Sequence, residues 1–186
     1  MPGMLYALVA ALLLAGVMTL GDFAWAAFHI RNRVANGLIH GALMCLCVGL
    51  AIGVRARRPL MAAMAGPVIG VLAAATFYAL AKPLGWSAMF PAWMLLWILF
   101  GVLQQKLQMK EPMRTALIRG ITAAMLSGAA FYQISGIWTR DSHESPNLPL
   151  HFVAWCVAFL PGFAALFLTR DKTHAQTREP GETGVR

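Results

Sequence analysis

Asp22, His29, Arg31, Asn32, Arg33, Asn36 and His40 stand close together in a chain that is otherwise strongly apolar. Asp22 and His29 are seven positions apart, and Asn36 and His40 are four apart, so each pair is expected on one face of a helix. An imidazole oriented by a carboxylate can take up and return a proton, which makes Asp22, His29 and His40 the candidate catalytic residues. Histidines can also bind a metal, and His29, His40, His143 and His151 are the candidates for that role. A haem held between His40 and His151 is a special case of the same reading. No HExxH or comparably dense ligand motif is present, so the residues name no cofactor. Arg31, Arg33 and Arg140 offer guanidinium forks suited to phosphate or carboxylate. Together with Asn32, Asn36, His40, Tyr78, Gln133 and His151, they are expected to line a pocket for a lipid or another amphipathic anionic ligand.

These residues need a scaffold, and the composition specifies its class. The chain is 59% hydrophobic and 12% charged, with a mean hydropathy of +0.65. A soluble domain carries about 25% charged residues, so an all-helical integral membrane protein is expected. The formal charge of +8 could suggest nucleic acid, but the basic residues lie in short clusters between apolar runs, where they orient helices and meet lipid headgroups. No nucleic-acid partner is expected.

A hydrocarbon core is crossed by about 20 apolar residues. Six such spans are predicted, at about 4–28, 34–54, 61–81, 87–104, 115–138 and 152–169. Their short connections leave no room for a soluble domain, so residues 1–169 form one compact bundle and residues 170–186 a disordered polar tail. Arg55, Arg57, Arg58, Lys106, Lys110, Arg114, Arg170, Lys172, Arg178 and Arg186 fall at one end of such a bundle. Only Arg31, Arg33, Lys82 and Arg140 fall at the other. The imbalance predicts cytoplasmic termini in a multi-pass protein of a cell or inner membrane, with the polar cluster facing outward. Trp25, Trp86, Trp93, Trp138 and Trp155 are expected to form an interfacial belt at that outer end, with Trp97 deeper. The "AWA" stretch at residues 24–26 resembles a signal-peptidase site and would leave five spans. The absence of Lys and Arg ahead of the first apolar run argues for retention as a span.

Packing signals are clearest in the second span. Gly37, Gly41, Cys45, Gly49 and Gly53 recur every four residues, and Ala62, Gly66, Gly70 and Ala74 follow in the third. Small stripes let backbones approach closely, so a tight antiparallel hairpin at the bundle centre is predicted, with subunit self-association as the alternative. Pro67, Pro91 and Pro161 can each kink a helix and free carbonyls. Cys45, Cys47 and Cys156 lack metal-ligand spacing and read as small packing residues.

Four functions fit these features. The outer cluster could bind a lipid-like anion, or carry membrane-embedded catalysis at Asp22, His29 and His40, with or without metal or haem. The chain could instead be a small transporter, although it has neither midplane charges nor internal repeats. In the fourth reading Asp22 pairs with Arg31 or Arg33, and the protein is a scaffold or subunit joined to membrane lipids, to copies of itself or to another membrane protein.

Overall fold

The computed structural model describes residues 3–28, 32–108, 112–134 and 147–168, with Ala26 described by its backbone only. The described residues form six α-helices and no strands: α1 (Gly3–Ala27), α2 (Arg33–Arg55), α3 (Pro59–Leu84), α4 (Met89–Gln108), α5 (Met113–Ile134) and α6 (Leu148–Phe167). Four segments are long and apolar enough to cross a membrane: Gly3–Trp25, Arg33–Arg55, Pro59–Gln108 and Leu148–Phe167. The third holds both α3 and α4, joined by a 3-10 turn at Gly85–Ala88. Gly85 has φ 55°, a left-handed conformation that glycine adopts without steric cost and that turns the chain back on itself.

Each helix packs on the next in sequence, and α6 closes the circuit against α1 and α5. The closest approach is between α2 and α3, where the small stripes meet. A methyl group on Gly66 or Gly70 would run into the Cys45 or Gly41 carbonyl, and one on Gly41 would lie 3.1 Å from the Gly70 carbonyl oxygen. Glycine is therefore required for the approach itself. The hairpin does not occupy the bundle centre, however. Leu60, Met61, Met64, Val68 and Leu72 put the opposite face of α3 on the exterior.

Instead, the centre is aromatic and built by α4 and α6. Trp93 packs on Phe159 at 5.1 Å between centroids, Trp97 on Phe163 at 6.0 Å, and Phe163 stacks on Phe167 at 5.6 Å. Trp93 and Trp155 are consequently buried core residues, not members of an interfacial belt. Their wide apolar rings fill the space that the small faces of α1 (Ala7, Ala11, Ala15) and α5 (Ala123, Ala124, Gly128) leave open. Trp86 stays exposed at the α3–α4 turn.

Only two of the three expected prolines lie within helix bodies. Pro67 and Pro161 do, whereas Pro91 occupies the first turn of α4, where no intrahelical N–H is needed. One turn before Pro161, the Ser127 hydroxyl donates to the Ala158 carbonyl, tying α5 to α6. Farther along, Gln104 Nε2 donates to the Leu166 carbonyl at 3.1 Å and satisfies one of the acceptors left over at the end of α6.

At that same end, Arg55 closes the bundle. Its guanidinium lies 5.4 Å from the centroids of both Tyr6 and Phe167 and donates to the Phe167 carbonyl at 3.4 Å. Tyr6 in turn donates to the Ala51 carbonyl at 2.6 Å. One arginine thus links the start of α1, the end of α2 and the end of α6.

Candidate acid–base site at the outer ends of three helices

The core-facing stripe of α1 runs through Ala7, Ala11, Leu14 and Met18, and the next position on it is Asp22. The stripe of α2 runs outward from Ile52 through Val48 and Cys45 to Gly41 and His40. That of α6 runs outward from Phe163 through Phe159 and Trp155 to His151. Each helix therefore carries a partly or fully buried titratable side chain at the polar end of its core-facing stripe, and the bundle brings the three together.

Asp22 is the hub. Trp155 Nε1–H donates to its Oδ2 at 2.8 Å, and His151 Nδ1 lies 3.1 Å from the same oxygen. On the other side, His40 Nε2 is 3.8 Å from Oδ1. The side chains of Asp22, His40 and His151 are only 16%, 20% and 10% exposed. A carboxylate withdrawn from water to this degree needs donors, and the indole and imidazole N–H groups supply them. Aromatic rings wall the cluster: Trp155 lies 5.5 Å from the His40 ring, and Phe23 lies 5.4 Å from that of His151.

Local sequence explains how His151 enters the site. Its position was expected to belong to the connection before the last span. Asn147 instead caps α6, its side chain accepting from Leu150 N–H at 3.1 Å, and Pro149 fits the first turn. The helix thus begins at Leu148, and His151 is carried on its buried face. Asn32 does the same for α2, accepting from Ala35 N–H at 3.0 Å, so its side chain is occupied as a helix cap.

The other expected site residues are distributed as follows. Asn36 sits one turn outward of His40, and its Oδ1 is buried without a hydrogen-bond partner. Tyr78 donates to the Arg33 carbonyl at 2.6 Å and crosses α2 at Gly37, where a Cβ would meet the Tyr78 hydroxyl and displace it. Arg33 and Gln133 are exposed. His29, Arg31, Arg140, His143 and the tail at 170–186 lie outside the described residues. Trp155 is the site member that sequence reasoning missed, because its spacing of four from His151 gains meaning only once α6 includes both. Ser87 follows a glycine in the G-x-S order of many serine nucleophiles. It is exposed in the Gly85–Ala88 turn and hydrogen-bonds to neither histidine.

Chemically, the arrangement can accept, store and return a proton. With its proton on Nδ1, His151 donates to Asp22 and carries its lone pair on Nε2, the polarity of a carboxylate-oriented base. Metal ligation is a poorer fit: among the described residues, no group of three or more His, Cys, Asp and Glu is arranged to hold an ion. An axial role for His151 in haem binding would use Nε2, since Nδ1 is the nitrogen in contact with Asp22.

Comparison with known protein families, curated proteins and solved structures finds no match to this chain.

Proposed function

We propose that the chain is a six-span integral membrane protein whose Asp22–His40–His151 cluster binds the polar end of a membrane-borne amphiphile and exchanges a proton with it. The observation that carries this reading is the convergence of one titratable side chain from each of α1, α2 and α6 on a single, largely buried contact. Ionisable groups at membrane depth are costly and mark functional sites by default. Arg33 and Lys82 at the same end of the bundle favour an anionic headgroup. Arg55, Arg57, Arg58, Lys106 and Arg114 at the opposite end favour an orientation with that end, and both termini, in the cytoplasm. The α5 helix is the sixth span in this reading; it packs between α4 and α6 although its arginines lower its hydropathy.

Catalysis on the bound amphiphile is a second reading, favoured by the Asp22–His151 contact at 3.1 Å. In that case Asp22 orients the imidazole, and His151 acts as general base.

Native mass spectrometry of gently solubilised full-length protein tests the binding. The wild-type protein is expected to retain an amphiphile that Asp22→Asn and His151→Gln lose while keeping their helix content. A wild-type protein that emerges bare from several mild detergents and from lipid nanodiscs overturns the reading.

A further inference from the structure

We infer that the Asp22 cluster exchanges protons with only one face of the membrane, through the bundle end that carries Asn36. The inference rests on the proposal that the cluster is functional, and it adds the direction from which protons arrive.

Two polar atoms flank the cluster. Asn36 lies one turn outward of His40 on α2, and Thr19 lies one turn inward of Asp22 on α1. Asn36 Oδ1 and Thr19 Oγ1 are both sealed from bulk solvent without a hydrogen-bond partner, and Thr19 is only 5% exposed. Buried acceptors without a protein donor are the exception in folded proteins and are commonly met by ordered water. A line of hydrogen-bonding groups thus runs along the seam of α1, α2 and α6: Asn36, then His40, Asp22 and His151, then Thr19.

Beyond Thr19 the line stops. From Met18 to Ala7, α1 carries no polar side chain, a stretch of about 18 Å at 1.5 Å per residue. Between His40 and Arg55, α2 offers only the thiols of Cys45 and Cys47, and α6 beyond Trp155 offers only Cys156. Met18, Leu14, Val48, Ile52, Phe159 and Phe163 fill this layer and are nearly inaccessible. Its polar side chains come from α4 and α5. Ser127 and Gln104 are spent on α6 carbonyls, the buried Oε1 of Gln105 lies beside Gln104 at the Arg55 end of α4, below this layer, and the buried Trp97 indole is a donor only, so it cannot pass a proton on.

The charged and titratable groups bearing on the cluster also lie on the Asn36 side. Asp22, His40 and His151 form it; Arg33 on α2 and Tyr78 and Lys82 on α3 stand outward of it. The described residues of α5, which packs on α6, add only Tyr132 at this end. On the far side, the nearest titratable groups are the thiols of Cys45, Cys47 and Cys156, and beyond them Tyr6 and Arg55 engage each other at the opposite end of the bundle.

Trp155 provides the reporter, because its ring is 5.5 Å from that of His40 and its N–H is held by Asp22. A stopped-flow pH jump from 8 to 5 spans the ordinary histidine range, about 6.5. The jump is applied outside proteoliposomes sorted by orientation, using an epitope fused after residue 186, which marks the Arg55 end. Trp155→Phe identifies the fluorescence change that belongs to Trp155. The expected result is a Trp155-dependent change before the lumen acidifies in vesicles exposing the Asn36 end. In the opposite orientation it should appear only after a protonophore is added. Asn36→Leu should slow the fast phase at least tenfold; Thr19→Val should leave it within twofold. A fast phase through the Arg55 end, equal phases in both orientations, or no Trp155 response overturns the inference. Retention of the amphiphile in the binding experiment together with any of those results would remove the one-sided path and leave the binding site standing.

Discussion

Trp155 Nε1–H donates to Asp22 Oδ2 at 2.8 Å, across the interface between α6 and α1. This bond joins the buried centre of the bundle to its polar end, because the same indole packs on Phe159 at 5.9 Å and on Phe131 at 6.1 Å. Trp155→Phe preserves an aromatic ring and deletes the donor. The expected loss is about 1–3 kcal/mol, the usual cost of leaving a buried polar group short of a partner. A lower midpoint in detergent unfolding checks it; an unchanged midpoint would mean that the histidines alone satisfy Asp22.

The α2–α3 contact predicts opposite outcomes for two glycines. A methyl at Gly66 would press on the Cys45 carbonyl, whereas nothing lies within 4 Å of the corresponding position at Gly21. Gly66→Ala is expected to cost about 1–3 kcal/mol through overpacking. By contrast, Gly21→Ala should stabilise by about 0.5–1 kcal/mol through reduced backbone freedom in the unfolded chain. Thermal unfolding of the two variants in the same detergent decides the comparison.

Gly162 and Trp97 should be energetically coupled. A Cβ on Gly162 would overlap the Trp97 indole, which is itself fully buried. Gly162→Ala alone should be strongly destabilising, and Trp97→Phe in the same chain should recover part of the loss by shrinking the ring. A double-mutant cycle is expected to return a coupling of about 0.5–3 kcal/mol. Strict additivity would show that α4 and α6 shift apart rather than resist.

Arg55 should resist replacement by lysine as well as by methionine. Its planar fork spans two rings and one carbonyl, whereas an ammonium is a compact point charge. Arg55→Met is expected to lower stability by about 1–2 kcal/mol, with Arg55→Lys recovering less than half of it. Hydrogen exchange at the first turn of α1 and the last turn of α6 provides a local readout.

Much of the helix layout could be read from hydropathy, because an apolar run bounded by charges has few other interpretations. The predicted second span at 34–54 differs from α2 by a single residue at each end. The glycine stripes were equally legible, since spacing of four on both partners states a contact directly. What hydropathy cannot report is which face of a uniformly apolar helix turns inward. In α1 the buried and exposed sides are both aliphatic, so nothing in the letters distinguished Leu14 from Leu13. For the same reason Trp93 and Trp155 resembled interfacial residues when only their depth could be judged. Asp22 and His40 were legible as candidates because polarity in an apolar run stands out. His151 was assigned to a loop because the cap formed by Asn147 and Pro149 is a local signal, weaker than the apolar run beginning after it.

The turn between α2 and α3 carries Arg57 at φ 58°, outside the conformations that a residue with a Cβ prefers. The strain is on the order of 1–2 kcal/mol, and glycine would remove it. Arg57 stands between Arg55 and Arg58 in sequence, so relieving the strain with glycine would also remove a cation from the hairpin's tip. In the proposed orientation, with this end in the cytoplasm, the charged tip would hold its side of the bilayer while α2 and α3 are inserted. On that proposal the finished bundle keeps a small mechanical penalty whose benefit belongs to biogenesis, and stability measured on the folded protein will undervalue this residue.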